Sequence, residues 1–266
     1  MMNIRSDKES DTMPRKSYPA KFQYKGEVAE RYLERRNGTL KWRREQQIIQ
    51  RLVGSFPLGS SILDVPIGTG RFLQSYAKGN HSVYGLDISS DMLSQAQDMQ
   101  GAINNVKGLI QGDAESIPLR DGAVDYVICM RLLNWIPSPI FNDIISEFTR
   151  IARKGIIVEV RVSKPIGWLG MIQKTVADPR TNLHRMIHPI YKRVMPNRAP
   201  ATKALKKNRG NDEIGGYVLH NAEDVSSMIA EHGLVVHDVI EVDKGMDYSH
   251  REFKPLLVMH CIKGPL

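Results

Sequence analysis

Cysteine is scarce in this chain. The two cysteines among 266 residues, Cys129 and Cys261, each sit in an apolar run, so buried small hydrophobes are expected in place of a disulfide, a metal pair or a thiol nucleophile. Aromatic residues make up only 7% of the chain, which leaves few platforms for stacking nucleic-acid bases. Long apolar runs are missing as well: nothing reaches the roughly 20 residues of a membrane span, and residues 1–20 lack the apolar core of a secretion signal. A cytoplasmic protein is expected. Acids are almost absent from one region. Between Lys164 and Arg209, eleven bases accompany a single acid, Asp178, giving that stretch a net charge of +10 while the whole chain carries +8. The remainder is therefore nearly neutral, and the positive field is local.

What is present points to an α/β core. With 41% hydrophobic residues and alternating strand and helix patterns, the chain is expected to form a single domain over 21–266, behind a disordered arm at 1–20. The richest segment is Ser61-Ile62-Leu63-Asp64-Val65-Pro66-Ile67-Gly68-Thr69-Gly70-Arg71-Phe72-Leu73. An apolar strand ends there in an acid and breaks into a glycine turn that opens a helix, the arrangement of a nucleoside-cofactor loop. A second strand, Ser82 to Asp87, ends in an acid about twenty residues after that loop, the place of a ribose-diol acceptor. A third segment, Val106 to Ala114, carries Asp113, and Val124 to Met130 reads as a fourth strand. Asp64, Asp87 and Asp113 are thus expected along one sheet edge. A dinucleotide dehydrogenase is the nearest competitor, but Leu73 stands where its fingerprint needs a small residue.

The motifs Leu63 to Gly70, Gly85-Leu86-Asp87-Ile88-Ser89 and Gly112-Asp113-Ala114 with Ile117-Pro118-Leu119 resemble the class I S-adenosylmethionine-dependent methyltransferases, particularly the ubiquinone and menaquinone biosynthesis branch. The resemblance runs from about Ser61 to Ile151 and resumes weakly over Asn221 to Ile262. It implies a doubly wound, Rossmann-like seven-stranded sheet with a C-terminal antiparallel hairpin, and S-adenosylmethionine as cofactor. It further implies that Asp64 and the glycine turn hold the methionine part, Asp87 the ribose hydroxyls, and Asp113 with Ala114 the adenine. Pro66, Arg71, Ile88 and Arg131 complete the expected cofactor surroundings. Two departures stand out. Pro66 replaces the usual first glycine, which its fixed φ allows, and Asn134 and Trp135 replace histidines frequent after the fourth strand.

Around this core, at 57–161, the chain adds three parts. Two N-terminal helices are expected within 21–56, separated near Asn37-Gly38, and the resemblance implies that they pack beside the cofactor edge with Tyr32, Arg36 or Trp42 near a ligand. An inserted helical cap is expected over 162–220, with Leu183, Met186, Ile187, Ile190, Tyr191 and Val194 at helical spacing and a hinge at Gly210 to Gly216. A helix from Ala222 to His232, with Asn221 as N-cap, and the hairpin complete 221–266; Lys244 to Lys254, with Tyr248, is long enough to reach over the site.

The cap's charge favours an anionic acceptor, with Arg185, Lys192 and Arg193 among its holders. Trp168, Leu169, Met171 and Ile172 beside Lys174 also suit contact with an acidic membrane surface. Nucleic acid is not favoured, because neither a recognisable binding module nor an Asn-Pro-Pro-Tyr motif is present. His184 and His188 stand four residues apart without a third ligand at matching spacing, so no metal is expected. For the chemistry, Asn134 is a candidate for orienting the acceptor and Trp135 for facing the sulfonium. His184, His188, His220, His250 and Glu159 are candidate general bases. Taken together, these residues predict O-methylation of an anionic small molecule or a phosphorylated glycan or lipid precursor. A membrane-surface quinone or lipid methyltransferase and a catalytically idle cofactor-binding subunit are the alternatives.

Overall fold

The structure is a computed structural model that describes residues 24–100, 104–163, 213–214, 217–244 and 255–264. Its sheet has seven strands. In chain order they are β1 (Ser61–Asp64), β2 (Ser82–Asp87), β3 (Val106–Gln111), β4 (Val124–Cys129), β5 (Ala152–Arg161), β8 (Leu234–Glu241) and β9 (Leu256–Lys263), and they lie side by side as β3-β2-β1-β4-β5-β9-β8. The first five pair in parallel, whereas β9 runs antiparallel to both β5 and β8. The chain order reverses between β1 and β4, where open α/β sheets form the crevice that binds ligands. Two further strands, β6 (Glu213–Ile214) and β7 (Tyr217–Val218), make a separate antiparallel pair. Of the expected hinge at Gly210 to Gly216 only Glu213 and Ile214 are described, and they pair with Val218 and Tyr217; the rest lies outside the described residues.

Apolar residues on both faces of β4 and β5 make these strands the floor of the core. Helix α6 (Ser138–Ile151) covers one face with Ile140, Phe141, Ile144, Ile145, Phe148 and Ile151, all buried at helical spacing, while Pro137 ends the preceding turn. Helix α3 (Leu40–Gly54) packs on the other face through Ile49, Leu52 and Val53, and its first turn is capped by the Thr39 hydroxyl, which accepts from the Trp42 N–H. Before α3 come the short helices α1 (Glu27–Glu30) and α2 (Tyr32–Arg36), so the first expected N-terminal helix is broken in two. The helices on the cofactor side are α4 (Leu73–Ala77) and α5 (Ser90–Gln100). Helix α7 (Ala222–Glu231) begins as expected at Asn221, whose side chain accepts from the Glu223 N–H, and stops before Gly233 at φ 71°.

Two boundaries differ from the sequence reading. Strand β3 ends at Gln111 because the Asp113 carboxylate accepts from the Glu115 N–H and the backbone turns into a bridge with Ser116. Helix α4 does not open directly at the glycine turn but starts at Leu73, because the Gly68 and Gly70 turn, at φ 55° and 75°, extends further. Both buried cysteines are unpaired thiols. The arm at 1–20, most of the cap at 162–220 and much of the 244–254 connection lie outside the described residues, and with them His184, Arg185, His188, Lys192, Arg193, Tyr248 and His250.

Candidate active site

At the C-terminal edge of β1, Asp64 is 1% exposed. Its Oδ2 accepts from the Tyr76 hydroxyl at 3.0 Å, and its Oδ1 has no hydrogen-bond partner. Burial pushes its pKa up to about 7 against the opposing Tyr76 hydrogen bond and Arg71 charge, with the Asp87 charge adding to the rise. A buried carboxylate oxygen without a donor is a place for a cationic or N–H-bearing ligand group. The turn beside it is tight. At Gly70 the backbone holds φ 75°, a conformation that residues with a side chain rarely adopt, and a Cβ there would press on the Leu73 side chain at 2.8 Å. The Val65–Pro66 peptide in this turn is cis.

Asp87 ends β2 and is fixed by two backbone donors, Gly68 N–H to Oδ2 and Ser89 N–H to Oδ1, both at 2.9 Å. Each oxygen retains a lone pair, so the carboxylate is set to accept from a vicinal diol. Next to it Ile88 is 37% exposed, an apolar surface beside the acid, and Asp113 and Ala114 follow at the next strand end, both buried. The N-terminal segment crosses this edge: the Ser89 hydroxyl donates to the Tyr24 carbonyl, and the Gly26 N–H donates to Asp91 at 2.7 Å.

A charged cluster closes the other side. Glu45 of α3 is fully buried, and its Oε2 accepts from Arg71 Nη1 at 2.8 Å and from Arg131 Nε and Nη2 at 2.8 and 2.6 Å. The Lys41 ammonium lies 3.7 Å from the other oxygen. Arg71 also lies over the Trp42 ring at 3.6 Å. Arg131 holds φ 64°, a left-handed conformation uncommon for a residue with a side chain. Glu45 and Tyr76 were missed in the sequence reading. Glu45 reads there as one more polar helix residue, and its only signal is its position three residues after Trp42, on the buried side of α3.

Beyond this cluster lies a small cleft lined by Tyr24, Arg36, Lys41, Arg131, Asn134, Trp135 and Glu159. Asn134 is committed at both ends of its amide: Nδ2 donates to Glu159 Oε1 at 3.1 Å, and Oδ1 accepts from the Arg161 N–H at 2.5 Å. It therefore orients Glu159 before it can orient an acceptor. Trp42 is 8% exposed beneath Arg71 and belongs to the wall behind the cleft, so the expected direct substrate contact is corrected to support of the arginine. His220 is likewise drawn into the core. Its Nε2 lies 2.9 Å from the Leu133 carbonyl and its ring packs 4.5 Å from Phe141, which removes it from the candidate bases. Among the described residues no group of acids, histidines or cysteines could hold a metal ion, and no helix is long and apolar enough to cross a membrane.

The parallel sheet with its antiparallel C-terminal pair, the glycine turn after β1 and the acid ending β2 form a Rossmann-like methyltransferase fold. Residues 62–155 match a family model described as a methyltransferase domain. Among known proteins, the chain is 31% identical over 123 residues to the phosphatidylethanolamine N-methyltransferase of Cereibacter sphaeroides, a match spanning 45% of this chain and 59% of that protein. It is 30% identical over 111 residues to the malonyl-acyl-carrier-protein O-methyltransferase of Pectobacterium atrosepticum, spanning 41% and 42% of the two chains. The chain thus covers less than two thirds of the length of either relative. A solved structure, magnesium protoporphyrin IX methyltransferase from Synechocystis PCC 6803 with bound S-adenosylhomocysteine, superposes with a TM-score of 0.60 at 15% identity, over 92% of this chain and 98% of that one. The orphaned Asp64 oxygen, the glycine cradle and the pre-set Asp87 carboxylate fit such a cofactor's ammonium, backbone-hugging chain and ribose.

Proposed function

We propose that this protein transfers the methyl group of S-adenosylmethionine to an oxygen of an anionic small molecule or of a phosphorylated glycan or lipid precursor. The cofactor supplies an electrophilic methyl carbon on a sulfonium. The protein's part is to bind, align and exclude water, because proximity and in-line geometry account for much of such a transfer. One observation carries the acceptor's charge: Arg36, Lys41 and Arg131 all line the cleft, while Glu45 neutralises only part of that cluster. The +10 stretch between Lys164 and Arg209 extends the same preference. Incubation with labelled S-adenosylmethionine and fractionated metabolite extract tests the reading. Label is expected in an anionic O-methyl product, and label confined to neutral or cationic products would refute it.

The similarity to a phosphatidylethanolamine N-methyltransferase supports a second reading, in which the acceptor is a lipid headgroup met at an acidic membrane surface. Sedimentation with vesicles containing anionic lipid separates the two, since a free metabolite acceptor needs no vesicle.

A further inference from the structure

We propose that Glu159 is the proton acceptor of this transfer, facing an anion-holding wall of Arg36, Lys41 and Arg131, so that the acceptor carries an ionisable hydroxyl close to an acidic group. The proposal rests on the methyltransferase reading above and adds to it a residue and a substrate chemistry.

Glu159 lies near the C-terminal end of β5, one residue beyond Val158, which pairs with the last residue of β4. It is fully buried by side-chain exposure yet lines the cleft. Its Oε1 is fixed by Asn134, which is fixed in turn by the Arg161 N–H. Its Oε2 has no hydrogen-bond partner. The basic groups around it do not take it up. Arg71 and Arg131 are both drawn to Glu45, and Lys41 also leans towards Glu45. A carboxylate held on one oxygen and bare on the other, with the neighbouring Arg71 and Arg131 bonded to Glu45 in its place, has the arrangement of a base awaiting a proton.

The groups facing it on each neighbouring element set its affinity for that proton. Burial raises its pKa, and the negative charge of Glu45 on α3 raises it further, whereas Lys41 on α3, Arg131 after β4 and Arg71 after β1 pull it down. Cys129 on β4 also feels its charge, and Tyr24 and Arg36 of the N-terminal segment complete the wall. The group is thereby moved from an ordinary carboxylic acid towards a base useful at neutral pH.

The step balances without another reactant. The acceptor's O–H proton passes to Glu159 Oε2, the oxygen lone pair forms the new bond to the methyl carbon, and the carbon–sulfur bonding pair stays on sulfur, leaving S-adenosylhomocysteine. An acidic group beside the hydroxyl would lie against Arg36 and Lys41, which fixes which hydroxyl meets Glu159.

The test uses the full chain and a probe that needs no acceptor. Sinefungin carries a protonated amine where the cofactor carries its transferable methyl, so a carboxylate near the transfer position attracts it relative to S-adenosylhomocysteine. Calorimetry on the wild-type protein should find sinefungin bound at least about tenfold more tightly, with the ratio rising with pH as Glu159 ionises. In Glu159→Gln, which keeps an oxygen for Asn134, the ratio should fall below about threefold while S-adenosylhomocysteine binds as before. Glu159→Asp keeps the charge and should keep most of the preference. With metabolite extract, Glu159→Gln should lose about 100-fold or more in labelling rate, recovering in part at alkaline pH where the hydroxyl ionises unaided. An unchanged sinefungin ratio, or a labelling rate within about threefold of wild type, overturns the proposal. If S-adenosylhomocysteine does not bind the wild-type protein, the methyltransferase reading itself fails. If it binds but no extract component is labelled, the acceptor reading fails while the sinefungin ratio still decides on Glu159.

Discussion

Cofactor binding should release a proton from Asp64. In the free protein this carboxyl is buried, has one oxygen without a donor and holds its proton up to about pH 7. A ligand ammonium placed at that oxygen restores the charge that burial disfavours, and a return to an ordinary carboxylate pKa of about 4 corresponds to roughly 4 kcal/mol of linked free energy. The sign follows from the raised value. Between about pH 4 and pH 7 the folded, ligand-free protein holds a proton that the unfolded chain has already lost, so this group costs stability as pH rises through that window and the ligand removes the cost. Affinity should therefore climb about 50-fold between pH 5 and pH 7 and level off near pH 7.5, before the ligand's own amine begins to deprotonate.

Calorimetry of S-adenosylhomocysteine in buffers of different ionisation enthalpy reads this directly. About 0.9 proton should be released per site at pH 6 and about 0.2 at pH 7.5. Asp64→Asn should abolish most of the release, and Tyr76→Phe should move the midpoint upwards because the hydroxyl that favours the charged form is gone. Burial raises the pKa of Asp87 too, so methylthioadenosine, which keeps the ribose and lacks the amino acid, isolates its share. Affinity independent of pH between 5 and 7, or an unaltered proton count in Asp64→Asn, would refute the placement of the ammonium at Asp64.

Three further outcomes are expected. Asp87→Ala should weaken S-adenosylhomocysteine by about 100-fold or more, since it removes an acceptor for two ribose hydroxyls at about 1.5–3 kcal/mol each, and calorimetry with unchanged affinity would sink the ribose assignment. His260 is 7% exposed with its pKa lowered to about 4, by burial first and the His237 charge second against the opposing Asp238. As pH falls from about 6.5 to about 4 the protein should therefore lose about 3 kcal/mol through this group, and chemical denaturation of His260→Phe should show a correspondingly flatter acid limb. Neutralising Arg185, Lys192 and Arg193 together should raise the acceptor KM, weaken its salt dependence and leave cofactor affinity nearly unchanged; wild-type acceptor kinetics in that variant would make the basic stretch a solvated face.

Much of the sheet was legible because its signals are local. An apolar strand ending in Asp64, a turn that needs glycine at Gly68 and Gly70, and a second acid at Asp87 each follow from a few neighbouring residues, and β1 and β2 stand where that reading put them. The antiparallel pair β8 and β9 was legible for the same reason, with Gly233 ending α7 and an apolar run on either side of the connection. The errors fall where one side chain competes with the backbone. Asp113 looked like a strand end, yet its carboxylate bonds the next turn's N–H and stops β3 two residues earlier.

The acceptor side was far less legible, because its decisive contacts join residues distant in sequence. Glu45 meets Arg71 and Arg131 across separations of 26 and 86 residues, and no periodicity along α3 distinguishes a solvated glutamate from one that binds two guanidiniums. Trp42 was singled out through the family resemblance and Asn134 for its chemical type, and each contacts another side chain, Trp42 under Arg71 and Asn134 on Glu159. His220 fails as a base for a reason invisible in sequence: its ring reaches the carbonyl of Leu133, 87 residues away. Glu159 was one base among five in the sequence, and it separates from His220 once partners are counted, because a titratable group can move a proton for a substrate only if the fold has left it an atom to do so. By that criterion the bare Oε2 of Glu159 and the bare Oδ1 of Asp64 are left for ligands, whereas Glu45 Oε1, likewise without a hydrogen bond, faces the Lys41 ammonium at 3.7 Å. The Asp64 oxygen suits a cation that stays, and the Glu159 oxygen a proton that leaves.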